Sequence, residues 1–376
     1  MSAELTSWGA REGGLATPCD SASRVVVGRD DSAITPSSAS DSKPHDDARC
    51  STPIVPQLVT APPPAGALAP YLRRHESPAQ LGLKINAYRD YEIEGLAGAL
   101  RAPDLVDSPV ECVMVGDSYF MTHLGRPTTV LSGTAERDWA LSTLVGLVDE
   151  VRGAMDRVFA APRVPFLLAD LPDGATAGPA AAREAAARFA GAGADAVKIE
   201  VAGEDELRCV EAVAATGLPT LAHIGYTPQL TGLGRHGDAV DDALELFARA
   251  RRARDAGACG LIVEMVSEPV NQALSRPHPA GLPVYSVFSG RARLGGQSLN
   301  LWDAVVRPAR PGRYFPPTPT IDAADVPEAY TPDLIADRMR ELIRLTLAGW
   351  FPLSPRTALD ARQAARITDT DPWSVS

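Results

Sequence analysis

Cysteine is scarce and unpatterned in this chain. Its five copies, Cys19, Cys50, Cys112, Cys209 and Cys259, form no C-x-x-C pair. That excludes a zinc ribbon and gives no disulfide framework, and it suits reduced thiols packed in a core. Long apolar runs are missing as well: nothing approaches the roughly 20 residues that span a bilayer. Glu4, Arg11 and Glu12 also interrupt the place where a secretory signal would carry its apolar segment. Positive charge is in deficit, with 36 Lys and Arg against 47 Asp and Glu and a formal net charge of −11. A nucleic-acid partner needs a basic face and is therefore not expected. The cluster Arg249, Arg251, Arg252 and Arg254 falls in a helical stretch and reads as a solvated outer face. The expectation is a cytoplasmic protein that engages neither membrane nor nucleic acid.

What is present is a repeated design. Residues 1–76 are rich in Ser, Pro, Ala and Asp and end in Ala61-Pro62-Pro63-Pro64-Ala65-Gly66, a composition expected to form a disordered leader. From Leu83-Lys84-Ile85-Asn86 onward, short apolar runs alternate with helical periodicity. Val113-Met114-Val115-Gly116-Asp117, Phe166-Leu167-Leu168-Ala169-Asp170, Ala196-Val197-Lys198-Ile199-Glu200, Leu221-Ala222-His223 and Leu261-Ile262-Val263-Glu264 each finish on an ionisable group. Buried parallel strands read as continuous apolar runs, and β-α alternation implies a parallel sheet. Seven clear strands and one obscure one favour a (β/α)8 TIM barrel over residues 77–310, with an open doubly wound sheet as the alternative. A helix is expected to start at an N-cap on Thr134, and another, amphipathic, from about Pro332 to Leu347 inside a C-terminal helical extension over 311–376.

In a barrel the carboxyl ends of all strands meet on one face. Buried unpaired carboxylates are costly, so a metal, a basic group or solvent has to compensate them. Asp117 and Asp170, without Cys or His spacing around them, suit a hard cation such as Mg²⁺, although each alone equally suits a helix cap. Lys198 and Glu200 are two apart and share a strand face, either as a plain salt bridge or as a clamp for a substrate carboxylate. His223 stands at a strand end before a glycine, where a core role and a binding role are equally open.

Val115-Gly116-Asp117-Ser118, Ala169-Asp170-Leu171-Pro172, Val197-Lys198-Ile199-Glu200, His223-Ile224-Gly225-Tyr226-Thr227-Pro228-Gln229 and the Glu264 strand, in that order, together resemble the ketopantoate hydroxymethyltransferase (3-methyl-2-oxobutanoate hydroxymethyltransferase) family. The resemblance runs from about Ile85 to Gln297. It implies a barrel of the phosphoenolpyruvate/pyruvate superfamily that moves a one-carbon unit from 5,10-methylenetetrahydrofolate onto a branched 2-oxo acid, and a homo-oligomer. It further implies Mg²⁺ on Asp117 and Asp170 supported by Glu200, oxo-acid contacts from Ser118, Lys198 and His223, and Glu264 as general base.

The chain also departs from that pattern, at Tyr119-Phe120, at Asp173 after Asp170-Leu171-Pro172, and at Ser286-Val287-Phe288-Ser289-Gly290. These changes suggest an altered pocket lining and a different oxo acid. A folate-independent aldolase or lyase of the same superfamily is the alternative enzyme, and a non-catalytic barrel the alternative from another class.

Overall fold

In a computed structural model of the chain, residues 82–105, 110–160, 164–290, 296–300, 329–348 and 358–374 are described. The expected leader over 1–76 and the first part of the C-terminal extension, 311–328, lie outside the described residues. The chain order is β1 Gly82–Asn86, α1 Asp90–Leu100, β2 Val110–Val115, α2 Tyr119–Thr122, α3 Gly133–Val158, β3 Phe166–Asp170, α4 Pro179–Gly191 and β4 Ala196–Glu200. It continues with α5 Glu204–Ala214, β5 Thr220–Gly225, α6 Val240–Asp255, β6 Gly260–Glu264, α7 Glu268–Leu274, β7 Val284–Val287, β8 Gly296–Asn300, α8 Pro332–Leu347 and α9 Ala361–Asp369.

Each strand pairs in parallel with the next, and β8 returns to β1 with Ile85 opposite Leu299, so the sheet closes into an eight-stranded barrel. Closure rules out the open doubly wound sheet. Side chains two apart share a face, and the two faces carry different work. Met114, Leu168, Ala196, Leu221, Ile262 and Tyr285 pack inside the barrel, whereas Leu83, Ile85, Val113, Val197, Ile224 and Val263 face outward into the helix layer. Strand β8 was hard to see in the sequence because Gly296-Gln297-Ser298 is polar. Its pairing with β1 and β7, not its hydropathy, makes it a strand.

Helix α3 begins two residues earlier than expected, with Ser132 rather than Thr134 at its N-cap. The Glu136 carboxylate accepts the Ser132 N–H and pairs with Arg126, which anchors that first turn. Pro179 opens α4 as expected, and Gly193 turns the chain beyond its end with φ +96°. Cys112 and Cys209 are buried and Cys259 is half-buried, all as free thiols. No helix among the described residues is long and apolar enough to cross a membrane.

The expected helix over Pro332–Leu347 is present as α8, capped by the Thr331 hydroxyl accepting from Leu334 N at 3.3 Å. It buries Ile335, Met339, Leu342 and Ile343 against α1. The chain's last stretch, undefined in the sequence, forms α9 beside α7, closed by the Asp360–Gln363 capping box and the buried Trp373. A Cβ on Gly95 would stand 2.5 Å from Ile335 Cγ2 and 3.1 Å from the Pro332 carbonyl oxygen, so α1 and α8 touch through a glycine. Gly→Ala inside a helix ordinarily gains about 1 kcal/mol. Gly95→Ala is expected to lose about 1–3 kcal/mol instead, as overpacking does, read as a lowered urea midpoint at unchanged m-value.

Candidate active site

The carboxyl ends of β1 to β8 surround a cavity lined by Asp117, Ser118, Asp170, Lys198, Glu200, His223 and Glu264 together with Lys84, Asn86 and Ser298. Every site residue expected from the sequence is thus in one place. Parallel strands deliver them there because each run ends at the same rim.

Lys198, on β4, is the hub. Its Nζ lies 2.8 Å from Asp170 Oδ2, 3.7 Å from Glu200 Oε1 and 3.2 Å from His223 Nδ1. Burial alone would lower the lysine's pKa, but Asp170, Glu200 and Asp117 outweigh it and hold the ammonium charged. An ammonium only donates. The contact with His223 therefore uses Nδ1 as acceptor and leaves the ring proton on Nε2, which stands 3.3 Å from Glu264 Oε2. Burial and Lys198 disfavour a second proton on that ring; Glu200 and Glu264 pull the other way and raise its pKa overall. Glu200 resists burial in the same manner: His223, Lys198 and the Gln229 N–H, 2.9 Å from Oε2, bring its pKa below the usual value.

Asp117 and Asp170 are not so well served. Burial first, then the neighbouring Asp170, pushes the Asp117 carboxyl well above its usual range, even with Gln229 Nε2 donating at 2.9 Å. Asp170 is raised too: burial dominates, Lys198 opposes it, and Glu200 adds to it. Its Oδ1 is buried without a hydrogen-bond partner among the described residues. Gly116 allows this crowding, since a Cβ there would meet Met114 Cε at 2.9 Å and approach Ser118 Oγ and Asp170 Oδ2. Two adjoining buried carboxylates that favour protons are suited to a hard cation, and the donors here are oxygen. Among the described residues no three His, Cys, Asp or Glu side chains are spaced to hold a metal by themselves. The aspartate pair therefore fits Mg²⁺ only as an open site, with other positions left to substrate oxygens and water, which is how that ion commonly binds.

The rim depends on backbone placement. Gly225 takes φ +92°, and a Cβ there would run into the Glu264 carbonyl oxygen; that oxygen accepts the Tyr226 N–H at 2.9 Å. The ends of β5 and β6 thereby hold His223 and Glu264 together. Met265, the residue after Glu264, has φ +51°, an uncommon conformation for a side chain of that size.

Of the departures noted in the sequence, Val287 lines the cavity, whereas Asp173 and Tyr119-Phe120 fall elsewhere. Asp173 does not line the cavity: Oδ2 accepts the Leu131 N–H at 2.8 Å and Oδ1 faces Arg137 at 3.5 Å, so it fastens the loop before α3. Tyr119 stacks on His123 with ring centroids 4.9 Å apart, and the buried Phe120 packs beside Trp139. From that segment Ser118 and Met121 reach the cavity instead; Ser118 Oγ is 2.7 Å from the Tyr88 hydroxyl. Sequence reasoning passed over Gln229, whose side-chain amide bridges Asp117 and the Leu171 carbonyl, and over Lys84 and Asn86. A signal for the last two was available, because they are spaced two apart in an apolar strand, as Lys198 and Glu200 are.

Residues 100–306 match the family model described as ketopantoate hydroxymethyltransferase. Curated proteins named 3-methyl-2-oxobutanoate hydroxymethyltransferase are similar to the chain over much the same region. The one from Pyrobaculum islandicum is 31% identical over 209 residues, covering 54% of this chain and 74% of that protein. That from Aeropyrum pernix is 32% identical over 204 residues, 53% of this chain and 68% of the other. That from Paracidovorax citrulli is 35% identical over 191 residues, 48% and 61% respectively. With its barrel, its strand-end residues and this match in agreement, the chain belongs to the ketopantoate hydroxymethyltransferase family.

Proposed function

We propose that the chain is a Mg²⁺-dependent hydroxymethyltransferase that adds a one-carbon unit from 5,10-methylenetetrahydrofolate to a branched 2-oxo acid, 3-methyl-2-oxobutanoate or an analogue. The observation that carries this reading is the unequal charge pairing in the cavity. The single Lys198 ammonium is shared between Asp170 at 2.8 Å, Glu200 at 3.7 Å and His223 Nδ1 at 3.2 Å, and both Asp117 and Asp170 still have their pKa raised, so the pair remains short of a cation.

Asp117 and Asp170 would hold Mg²⁺, and Glu200 would keep the adjoining Lys198 and His223 in position. Bound there, the ion supplies Lewis-acid stabilisation of the negative charge that develops on the keto oxygen. Ser118, the Lys198 ammonium and His223 orient the oxo acid. Glu264 removes the proton from the carbon next to the keto group, and its approach is fixed by the His223 ring 3.3 Å away. The enolate carbon forms its new bond to the methylene carbon of the folate and both bonds of that carbon to folate nitrogen break, with water supplying the product's hydroxyl and one N–H proton of tetrahydrofolate, and the proton taken up by Glu264 supplying the other. A cytoplasmic homo-oligomer completes the proposal.

The test is a coupled incubation with Mg²⁺, 5,10-methylenetetrahydrofolate and 2-oxo acids. Folate-dependent hydroxymethyl product supports the reading. Absence of turnover with every 2-oxo acid contradicts it, and folate-independent aldehyde release selects the aldolase or lyase alternative. Glu264→Gln is expected to lower kcat by about 10²- to 10⁴-fold with little change in Mg²⁺ affinity measured by calorimetry.

A further prediction concerns Mg²⁺ and pH. A carboxyl with a pKa higher in the folded than in the unfolded protein contributes stability that is fully present below its usual 3.8 and lost as pH rises through the folded value. Mg²⁺ takes the place of that proton. The rise in Tm on adding Mg²⁺ is therefore expected to be larger at about pH 8 than at about pH 6, and Asp117→Asn should remove most of the difference, as scanning calorimetry would show.

A further inference from the structure

Lys84 is a second lysine on the cavity wall, and its surroundings are unlike those of Lys198. It sits in β1 between Leu83 and Ile85, which face the helices, so its own side chain points into the barrel. Only 1% of it is exposed. Its Nζ donates to Asn86 Oδ1 at 2.6 Å and reaches Met114 Sδ at 3.4 Å. Both partners are neutral, and among the described residues no carboxylate lies within ion-pair distance of it. Burial pushes the ammonium down to about 8; Cys112, its neighbour on β2, opposes that shift, as do Asp170 and Glu264, while Lys198 adds to it.

A buried ammonium has three N–H donors and needs acceptors for them; one left facing a cavity without a counter-charge is costly. Ser298 stands directly beside Lys84 in the register of β8 with β1, and Asn86 lies one step nearer the rim. These residues make a polar patch on the β8–β1 side of the cavity, away from the Lys198–Glu200–His223 group on β4 and β5. Apolar Met114, Ile262 and Val287 also line the cavity. A substrate held by its oxo-acid end at Asp117, Asp170 and Lys198 has its remaining chain free to extend toward Lys84. An alkyl end there would seal the ammonium away from water unpaired, whereas an anionic end would satisfy it.

We infer that Lys84, with Asn86 and Ser298, is a second anion subsite of the same cavity, so that the substrate is a 2-oxo acid bearing a further carboxylate on its distal carbon. This rests on the enolate reading above and sharpens its substrate class. The experiment follows exchange of the C3 protons with deuterated water by NMR, in the presence of Mg²⁺, for 3-methyl-2-oxobutanoate and for a chain-matched pair. The pair is 2-oxoglutarate, which has the distal carboxylate, and 2-oxopentanoate, which has a methyl in its place. The unaltered protein is expected to favour 2-oxoglutarate over 2-oxopentanoate in kcat/KM by roughly 10- to 100-fold, the range for a hydrogen bond to a charged group. Lys84→Met, close to lysine in shape, and Lys84→Gln should each collapse that ratio.

Exchange of 3-methyl-2-oxobutanoate without any preference for 2-oxoglutarate in the unaltered protein overturns the subsite and leaves the enolate reading standing. A preference that persists in the lysine variants overturns it as well, and Lys84 is then a charge balance for Asp170 and Glu264. No exchange of any of the three acids by the unaltered protein removes the enolate reading and the subsite together. The wild-type ratio needs no variant, so a variant that fails to fold does not shelter the proposal.

Discussion

The ammonium of Lys198, 2.8 Å from Asp170 Oδ2, 3.7 Å from Glu200 Oε1 and 3.2 Å from His223 Nδ1, is the contact that these three side chains share. By donating to His223 Nδ1 it selects the ring tautomer whose Nε2 proton faces Glu264. Together with His223 and Gln229 it keeps Glu200 ionised despite burial. Lys198 and Lys84 together do not match Asp117, Asp170, Glu200 and Glu264, all of them buried at one rim. In a medium of low dielectric that imbalance cannot be left to solvent. A proton on the aspartate pair, or a cation between them, has to make up the difference.

Backbone geometry makes such crowding possible. The closed parallel barrel brings all strand ends to one rim, while the outward faces of the same strands are held by the helix layer. Stability and chemistry therefore sit on alternate residues of the same short segments: Leu167 and Ala169 pack outward, Leu168 and Asp170 point inward. Gly116 avoids a Cβ that would press on Met114 and Ser118, and Gly225 one that would force β5 away from β6. Asp173, through Leu131 N and Arg137, fixes the loop that supplies Thr129 to the cavity. The site is thus supported by contacts that never touch its contents.

Much of this was legible in the sequence because buried parallel strands are written as apolar runs, and a carboxylate closing such a run has few places to go. Asp117, Asp170, Lys198, Glu200, His223 and Glu264 could be picked out on that basis and do share one cavity. Strand β8 was obscure because Gly296-Gln297-Ser298-Leu299-Asn300 holds a single apolar side chain, so hydropathy does not mark it as a buried strand. Lys84 and Asn86 were passed over because they lie within the first strand and do not end an apolar run, although their spacing of two puts both on the inner face once β1 closes against β8. Tyr119 and Asp173 drew attention as departures, yet the path of the chain after β2 and β3 turns them toward His123 and Leu131. Rotation of a side chain about a short loop leaves no periodic trace.

The central claim is that Asp117 and Asp170 share a cation with the oxo-acid end of the substrate while Glu264 faces the carbon that loses a proton. A crystal structure of the protein with Mg²⁺ and 3-methyl-2-oxobutanoate, in the absence of folate, tests it most directly. The account predicts the ion on the two aspartates, the keto and carboxylate oxygens in its remaining coordination positions, Lys198 against the carboxylate, and the substrate's C3 turned toward Glu264. An ion bound elsewhere, or a substrate whose C3 points away from Glu264, would contradict it.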